Sequence, residues 1–174
     1  MKLPNHLYLV IAMLFFLCLN SCHLITAARS NGKEAAPPEL EERLSKIRLT
    51  DLNNRSYGLQ ELVGQPIFLN FWATWCAPCI AEMGTIAYLH QKYGERMVFL
   101  AVSTENLEKI QRFKEERPFS FDYARLDIDY IDAYVIKLPT TLLINRKGEV
   151  VHEEEGSRDW SSRESEDKVR AALE

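Results

Sequence analysis

The sequence predicts an α/β domain in which helices lie on both faces of a mixed β-sheet. Two nearly continuous apolar runs, residues 66–72 and 96–103, are typical of strands that are buried on both faces. Each run is followed by a stretch with helical periodicity, and two closely spaced strands come near the end, so strands and helices alternate. With 174 residues, the chain suits one such domain with a short additional segment.

The domain is predicted to begin with a β-hairpin. Residues 46–50 partly alternate between apolar and polar side chains, and the turn-forming residues 51–54 connect them to a second short strand over 56–59. The first buried strand follows this hairpin. After it, apolar residues recur on one face of a helix predicted over residues 78–93.

The second half of the domain is predicted to alternate in the same way. A charged amphipathic helix over residues 106–116 follows the second buried strand. Two strands, 140–145 and 149–153, are separated by a short turn and form a closing hairpin. The last helix is predicted to begin at Ser161, where Glu164 in the first turn matches the pattern of a capping box.

The composition excludes several classes of function. A formal net charge of −4 is unsuited to the neutralisation of nucleic-acid phosphates, so we expect no nucleic-acid partner. The sequence contains no glycine-rich phosphate-binding pattern and no Ser/His/Asp signature. Asp127, Asp129 and Asp132 lack the glycine and the closing glutamate of a calcium loop, and are interpreted as turn or helix-start acids. We therefore expect no metal site.

The first residues are typical of an export signal. Lys2 precedes an unbroken apolar run over residues 7–19, which as a helix would reach only about 20 Å of the roughly 30 Å hydrocarbon core. Such a segment indicates a secretory signal, with an uncleaved membrane anchor as the alternative. Both interpretations place the domain outside the cytoplasm. The predicted organisation is a signal peptide over 1–21, a tether over 22–44 and the domain over 45–174.

The end of the signal resembles that of a bacterial lipoprotein. Leu19-Asn20-Ser21-Cys22 has a leucine three residues before a cysteine and a small residue directly before it. The resemblance implies that Cys22 is lipidated and becomes the mature N-terminus. More than one acyl chain would make this anchor stable. The alternative is that Cys22 is an incidental thiol before an ordinary cleavage site.

The chemistry is expected at Cys76 and Cys79, between the first buried strand and the first long helix. Two cysteines at this spacing can close a disulfide at the first turn of a helix. The positive end of that helix favours a thiolate at Cys76, and a thiolate is the nucleophilic form of cysteine. Pro78 suits the first turn, where its missing N–H costs nothing.

Three other interpretations of the cysteine pair compete with redox activity. Half a zinc site would need a second pair of ligands, and the histidines are scattered singly. A structural disulfide would close a very small loop and constrain the unfolded chain little. A copper site usually has more widely spaced cysteines and a histidine.

The cysteine-containing stretch resembles a known family. Residues 71–79, Phe-Trp-Ala-Thr-Trp-Cys-Ala-Pro-Cys, resemble the active site of thioredoxin-like proteins. Residues 46–155 are similar to the membrane-tethered, extracytoplasmic thiol-disulfide oxidoreductases of the TlpA/ResA type. Four features carry that similarity: Asn70 in place of the buried Asp of cytoplasmic thioredoxins, Glu82-Met83 after the second cysteine, Leu138-Pro139-Thr140-Thr141, and the hairpin turn Asn145-Arg146-Lys147-Gly148.

The resemblance implies a thioredoxin-like fold, with an N-terminal β-hairpin added to a central mixed sheet flanked by helices. It implies that Cys76 attacks a partner's disulfide and that Cys79 resolves the mixed disulfide. We expect Glu82, one helical turn beyond Cys79, to take up the proton of Cys79 because partial burial would raise its pKa. The alternative interpretation of Glu82 is an acid on a solvated face of the helix. Pro139 is expected to be cis, with an ordinary trans proline as the alternative.

The substrate is expected to dock beside these residues, with Leu138 offering its backbone to an extended segment. The residues predicted to bind substrate are Trp75, Ala77, Pro78, Leu138 and Thr140. Trp72 is expected to pack in the core. The resemblance implies no cofactor beyond the cysteine pair. It implies a reductant of disulfides in cell-envelope proteins such as apocytochrome c, with electrons from a membrane thiol carrier. The alternative direction is oxidation of those proteins. We expect the chain to be a monomer.

Two alternative functions remain open at this point. A thiol peroxidase on the same fold expects a threonine two residues before its reactive cysteine, and Thr74 has that position, but the expected upstream proline is missing. A tethered binding lipoprotein would use the groove beside Pro139 without turnover.

Overall fold

The computed structural model describes residues 42–174. The predicted signal peptide, most of the predicted tether and Cys22 lie outside the described residues. Within residues 42–174, none of the helices is both long enough and apolar enough to cross a membrane.

The described residues form one mixed β-sheet with helices packed against it. The strands are β1 (Arg48–Asp51), β2 (Ser56–Gly58), β3 (Ile67–Phe71), β4 (Val98–Ser103), β5 (Asp122–Leu126), β6 (Thr140–Ile144) and β7 (Val150–Glu155). The helices are α1 (Glu42–Ser45), α2 (Ala77–Tyr93), α3 (Leu107–Glu116) and α4 (Arg163–Ala172), with a 3-10 turn at Leu59–Leu62. This architecture confirms the predicted fold class.

The strand order is β2-β1-β5-β4-β3-β6-β7. The central strand β3 pairs in parallel with β4 and antiparallel with β6, so the sheet is mixed. β5 lies between the N-terminal hairpin and β4 and connects the hairpin to the rest of the sheet. No pattern in the sequence predicted the strand β5.

Alternation along β3 divides its side chains between two cores. Ile67, Leu69 and Phe71 point into a core covered by α1 and the 3-10 turn. Phe68 points into the opposite core, which α2, α3 and α4 cover. Asn70 has the same parity as Phe68, so its polar side chain faces α2 from inside the sheet.

The two ends of the described chain differ from the predictions. Leu44, assigned to the tether, is fully buried in the core that α1 and the 3-10 turn cover. The N-cap of α4 is Ser162, whose Oγ accepts the N–H of Ser165 at 3.3 Å, and not Ser161. The predicted capping box of Ser161 and Glu164 is therefore wrong. Glu164 lies 2.7 Å from the guanidinium of Arg158 because that cation faces the first turn of α4.

Candidate active site

The two cysteines lie where β3 leads into α2, and they form a disulfide with Cα atoms 5.3 Å apart. Cys76 is the N-cap of α2, and its Sγ accepts the N–H of Cys79 at 3.3 Å. Cys76 is 5% exposed, whereas Cys79 is completely buried. A partner can therefore reach the sulfur of Cys76 more readily than that of Cys79.

The start of α2 favours a negative charge on Cys76 once the disulfide is reduced. Pro78 occupies the first turn, as the sequence predicted. The free N–H groups and the positive dipole end of a helix at least four turns long point towards the N-cap sulfur. This environment stabilises a thiolate, which is the form of cysteine that attacks disulfides.

Glu82 lies one turn beyond Cys79 and is 2% exposed, which contradicts its interpretation as a solvated acid. Its Oε1 accepts a hydrogen bond from Asn70 Nδ2 at 2.9 Å. Its Oε2 accepts the backbone N–H of Arg158 at 3.0 Å and the indole N–H of Trp160 at 3.3 Å. Burial raises the pKa of this carboxyl from 4.5 to about 7, although the three hydrogen bonds act in the opposite direction. Glu82 can therefore exchange a proton near neutral pH.

Asn70 reaches Glu82 because of its place in the sheet. It pairs with Thr141 of β6, and its Nδ2 donates to Thr141 Oγ1 at 2.9 Å as well as to the glutamate. Within residues 42–174, Asn70 Oδ1 is buried and has no hydrogen-bond donor. The amide thus uses only its donor side to hold the carboxylate.

The peptide bond between Leu138 and Pro139 is cis, as predicted. Pro139 is buried next to the start of β6, and its carbonyl accepts the N–H of Gly156 at 2.7 Å. Gly156 has a φ of +94°, a conformation that glycine adopts without the strain that other residues incur. The loop after β7 is therefore fixed to the cis-proline segment.

An apolar groove of about 550 Å³ lies beside these residues and has both Trp75 and Leu138 in its lining. Trp75 is 69% exposed and Ile136 is 80% exposed. Ile131, which also lines the groove, is exposed as well. The sequence predicted Trp75 and Leu138, but not the two isoleucines, which belong to no motif.

The remaining predicted substrate residues differ in exposure. Ala77 and Pro78 are exposed at the start of α2, so a partner can contact them. Thr140 is 2% exposed, and its hydroxyl donates to the carbonyl of Lys137 at 2.8 Å. Thr140 also pairs with strands on both sides, in β3 and β7, so its side chain is not exposed to a partner, and its role in substrate binding stays a prediction.

Thr74 and Glu105 form a polar contact just before the cysteines. Glu105 accepts the backbone N–H of Thr74 at 2.7 Å and its hydroxyl at 2.9 Å. The hydroxyl of Thr74 is therefore engaged by a carboxylate at the end of β4. Trp72, two residues earlier, is fully buried, as predicted.

Sequence reasoning did not find Arg158 and Trp160, which lie in the segment between β7 and α4. They contact Glu82 across 76 and 78 residues of sequence. No motif or periodicity marks them. Within residues 42–174, no three or more His, Cys, Asp or Glu side chains are grouped so that they could hold a metal ion.

Comparison with known proteins agrees with this architecture. The sequence model of the AhpC/TSA family matches residues 40–153. The chain is also similar to the thiol-disulfide oxidoreductase ResA of Halalkalibacterium halodurans, with 42% identity over 63% of this chain and 65% of that protein, slightly less than two thirds of its length. It is 33% identical to ResA of Bacillus thuringiensis over 69% of this chain and 72% of that protein.

A solved structure shares the fold. DsbF of Mycobacterium tuberculosis, in mixed oxidised and reduced forms, superposes with a TM-score of 0.63. The superposition covers 78% of this chain and 100% of that chain, at 21% sequence identity. At this identity the similarity shows the fold alone.

Proposed function

This chain belongs to the AhpC/TSA family and to its ResA-like members, and we propose that it is an extracytoplasmic thiol-disulfide oxidoreductase that reduces disulfides in cell-envelope proteins. The observation that carries the proposal is the Cys76–Cys79 disulfide at the start of α2, with the buried carboxyl of Glu82 one turn beyond it. The disulfide in the structure corresponds to the oxidised enzyme, which is the product of substrate reduction.

In the first step, the thiolate of reduced Cys76 attacks one sulfur of the partner's disulfide. A bond forms between that sulfur and Cys76, the partner's S–S bond breaks, and its second sulfur leaves as a thiolate that takes a proton from water. The exposure of Ala77 and Pro78 and the groove beside Trp75 support this approach of a partner.

In the second step, the thiol of Cys79 gives its proton to the carboxylate of Glu82. The resulting thiolate attacks the sulfur of Cys76, which forms the disulfide of the enzyme and releases the partner as a thiolate. The enzyme loses two electrons and the partner gains them. A pKa of about 7 at Glu82 supports this proton transfer, because the carboxyl can both accept and release a proton at neutral pH.

We propose that a membrane thiol carrier reduces the enzyme again and that the cysteine pair is its redox centre without a further cofactor. A reduction potential near that of thioredoxin, about −270 mV, would support the role of a reductant. A potential near −120 mV would make the chain an oxidant and would contradict this direction.

The location is proposed from residues outside the described part of the chain. The apolar run over residues 7–19 and the sequence Leu19–Cys22 support export and lipidation of Cys22. Mass spectrometry of the wild-type protein from the membrane fraction is expected to show a chain that begins at an acylated Cys22. If the mass instead includes residues 1–21 and no acyl chain, the segment is an uncleaved anchor.

The proposed function is tested with two cysteine variants expressed in the native cell envelope. Cys79→Ser cannot resolve the mixed disulfide, so it is expected to accumulate partners attached to Cys76. Cys76→Ser cannot form such adducts and serves as the matched control. Mass spectrometry of the trapped partners identifies the substrates and shows whether apocytochrome c is one of them.

Each alternative function predicts a result that differs from that of the proposed enzyme. A binding lipoprotein without turnover would keep its biological activity in Cys76→Ser, which contradicts the enzyme proposal. A thiol peroxidase would consume peroxide in a coupled assay. Its hypothesis is not favoured by the site, because the hydroxyl of Thr74 donates to Glu105.

A further inference from the structure

The loop between β7 and α4, residues 156–162, connects the two catalytic segments of the site. At its beginning, the N–H of Gly156 donates to the carbonyl of cis-Pro139 at 2.7 Å. Further along, Arg158 and Trp160 both donate to Glu82 Oε2, through a backbone N–H at 3.0 Å and an indole N–H at 3.3 Å. The β7–α4 loop therefore contacts both the cis-proline segment and the buried acid.

We propose that Trp160 is a positioning residue of the reaction, which together with the Arg158 N–H holds Glu82 Oε2 so that the proton from Cys79 is taken up on Oε1. The inference rests on the proposed function, because it concerns the proton acceptor of the second step. In this role Trp160 acts on the reaction through Glu82.

The hydrogen bonds of the carboxylate distinguish its two oxygens. Among residues 42–174, Oε2 receives two N–H donors, whereas Oε1 receives one, from Asn70 Nδ2 at 2.9 Å. A proton on Oε2 would face two buried donors and would leave at least one of them without an acceptor, which is costly inside a protein. Oε1 has a free acceptor position, so it is the oxygen that can take the proton at lower cost.

Packing fixes Trp160 in the position that this role requires. Its side chain is fully buried and meets the ring of Phe68 edge to face, with ring centroids 4.8 Å apart. Its backbone N–H donates to Thr85 Oγ1 at 3.1 Å, and that hydroxyl donates to the carbonyl of Glu82 at 2.8 Å. The indole is thus held to α2 at both its ring and its backbone.

Arg158 is held by two ion pairs and a side-chain hydrogen bond. Its guanidinium lies 2.7 Å from Glu154 on β7 and 2.7 Å from Glu164 on α4, and its Nε donates to Ser165 Oγ at 2.8 Å. These contacts keep its backbone N–H pointed at Glu82.

Other charged groups also act on the pKa of Glu82. Glu154 raises the pKa of Glu82 through its negative charge, and it is paired with the cations of Arg158 and Lys168. Cys79, one turn before Glu82 on α2, is in the disulfide in the oxidised protein and does not titrate there. Since Trp160 carries no charge, its replacement by phenylalanine leaves all of these charges in place.

The test measures the titration of Glu82 in the oxidised full chain by carboxyl ¹³C NMR, with Glu82→Gln identifying the signal. Trp160→Phe keeps a buried ring but removes the indole donor, so the midpoint of Glu82 is expected to rise by about one pH unit. Trp72→Phe is the matched control: Trp72 is also fully buried, and within the described residues its indole N–H has no acceptor. In Trp72→Phe, the titration midpoint of Glu82 is expected to match that of the wild type.

A second measurement needs no change at Trp160. In the oxidised wild-type chain, the indole N–H resonance of Trp160 is expected to shift with pH at the midpoint of Glu82, and this shift is expected to disappear in Glu82→Gln. The indole resonance of Trp72 is expected not to follow that midpoint. This result keeps the inference testable if Trp160→Phe does not fold.

The proton-uptake step is tested by the rate at which a mixed disulfide on Cys76 is resolved, measured against pH. In Trp160→Phe, the pH profile of this rate is expected to move upward with the Glu82 midpoint. If both midpoints stay at the wild-type value, Trp160 is only a packing residue and the inference is overturned. If the NMR midpoint moves but neither protein reduces any disulfide, the proposed function fails instead.

Discussion

The sharpest test of the site is the stability of Glu82→Gln as a function of pH. In the folded protein the pKa of Glu82 is about 7, compared with 4.5 for an ordinary glutamate. The folded state therefore holds a proton that the unfolded chain gives up between these two values. Because the folded state binds more protons in this window, the free energy of unfolding falls as the pH rises from about 4.5 to about 7.

The size of the effect follows from the difference of about 2.5 pH units between the two states. At 1.36 kcal/mol for each unit, the ionisation of Glu82 lowers the free energy of unfolding by about 3 kcal/mol above pH 7. Glutamine has nearly the shape of the protonated acid and cannot ionise. It can also meet the free Oδ1 of Asn70, since that amide can turn over.

Urea unfolding of the oxidised full chain at several pH values measures this difference. We expect Glu82→Gln to match the wild type near pH 4 and to be about 3 kcal/mol more stable near pH 8. Glu108→Gln, an exposed position on α3, is the matched control and is expected to change stability by less than about 0.5 kcal/mol. A difference between wild type and Glu82→Gln that stays constant with pH would refute the argument.

Three further predictions use the same assays. Asn70→Asp places a second carboxyl 2.9 Å from that of Glu82. Relative to the wild type, its free energy of unfolding in urea should fall by about 2–4 kcal/mol more at pH 8 than at pH 5, because both acids tend to ionise at the higher pH. Trp75→Ala should change stability by less than about 0.5 kcal/mol but raise KM for a trapped partner at unchanged kcat, since the side chain is exposed in the groove. Gly156→Ala and Gly64→Ala both place a side chain at positive φ, so each should lower the free energy of unfolding by about 1–2 kcal/mol. Only Gly156→Ala should slow disulfide reduction, because a backbone shift there moves the N–H that donates to the carbonyl of Pro139. Equal rates in the two variants would contradict this.

Local patterns were sufficient for most of the fold. The buried strand before the cysteines and the helix after them are marked by a continuous apolar run and by helical spacing, and both lie where the sequence predicted them. β5 was missed because its sequence, Asp-Tyr-Ala-Arg-Leu, has neither a continuous apolar run nor turn signals at both ends. Its strand conformation is set by pairing with β1 and β4, which no local pattern can show.

The candidate site divides in the same way. The cysteine pair, Glu82 and cis-Pro139 were predicted because short spacings or the family resemblance mark them. Arg158 and Trp160 were not, because their contact with Glu82 depends on how the β7–α4 loop lies against α2. The burial of Thr140 was not predicted either, because proximity to Pro139 in sequence does not show that its side chain points inward.

The replacement of a buried acid by Asn70 also determines how many protons the interior of the site can store. With an amide at this position, the network of Asn70, Glu82 and Thr141 contains a single ionisable carboxyl. Two interacting acids would titrate in two steps that belong to the pair and to neither residue alone. Here the network titrates in one step, and that step belongs to Glu82. This network can therefore hold at most one proton in each catalytic cycle. That proton must leave Glu82 before Cys79 resolves the next mixed disulfide.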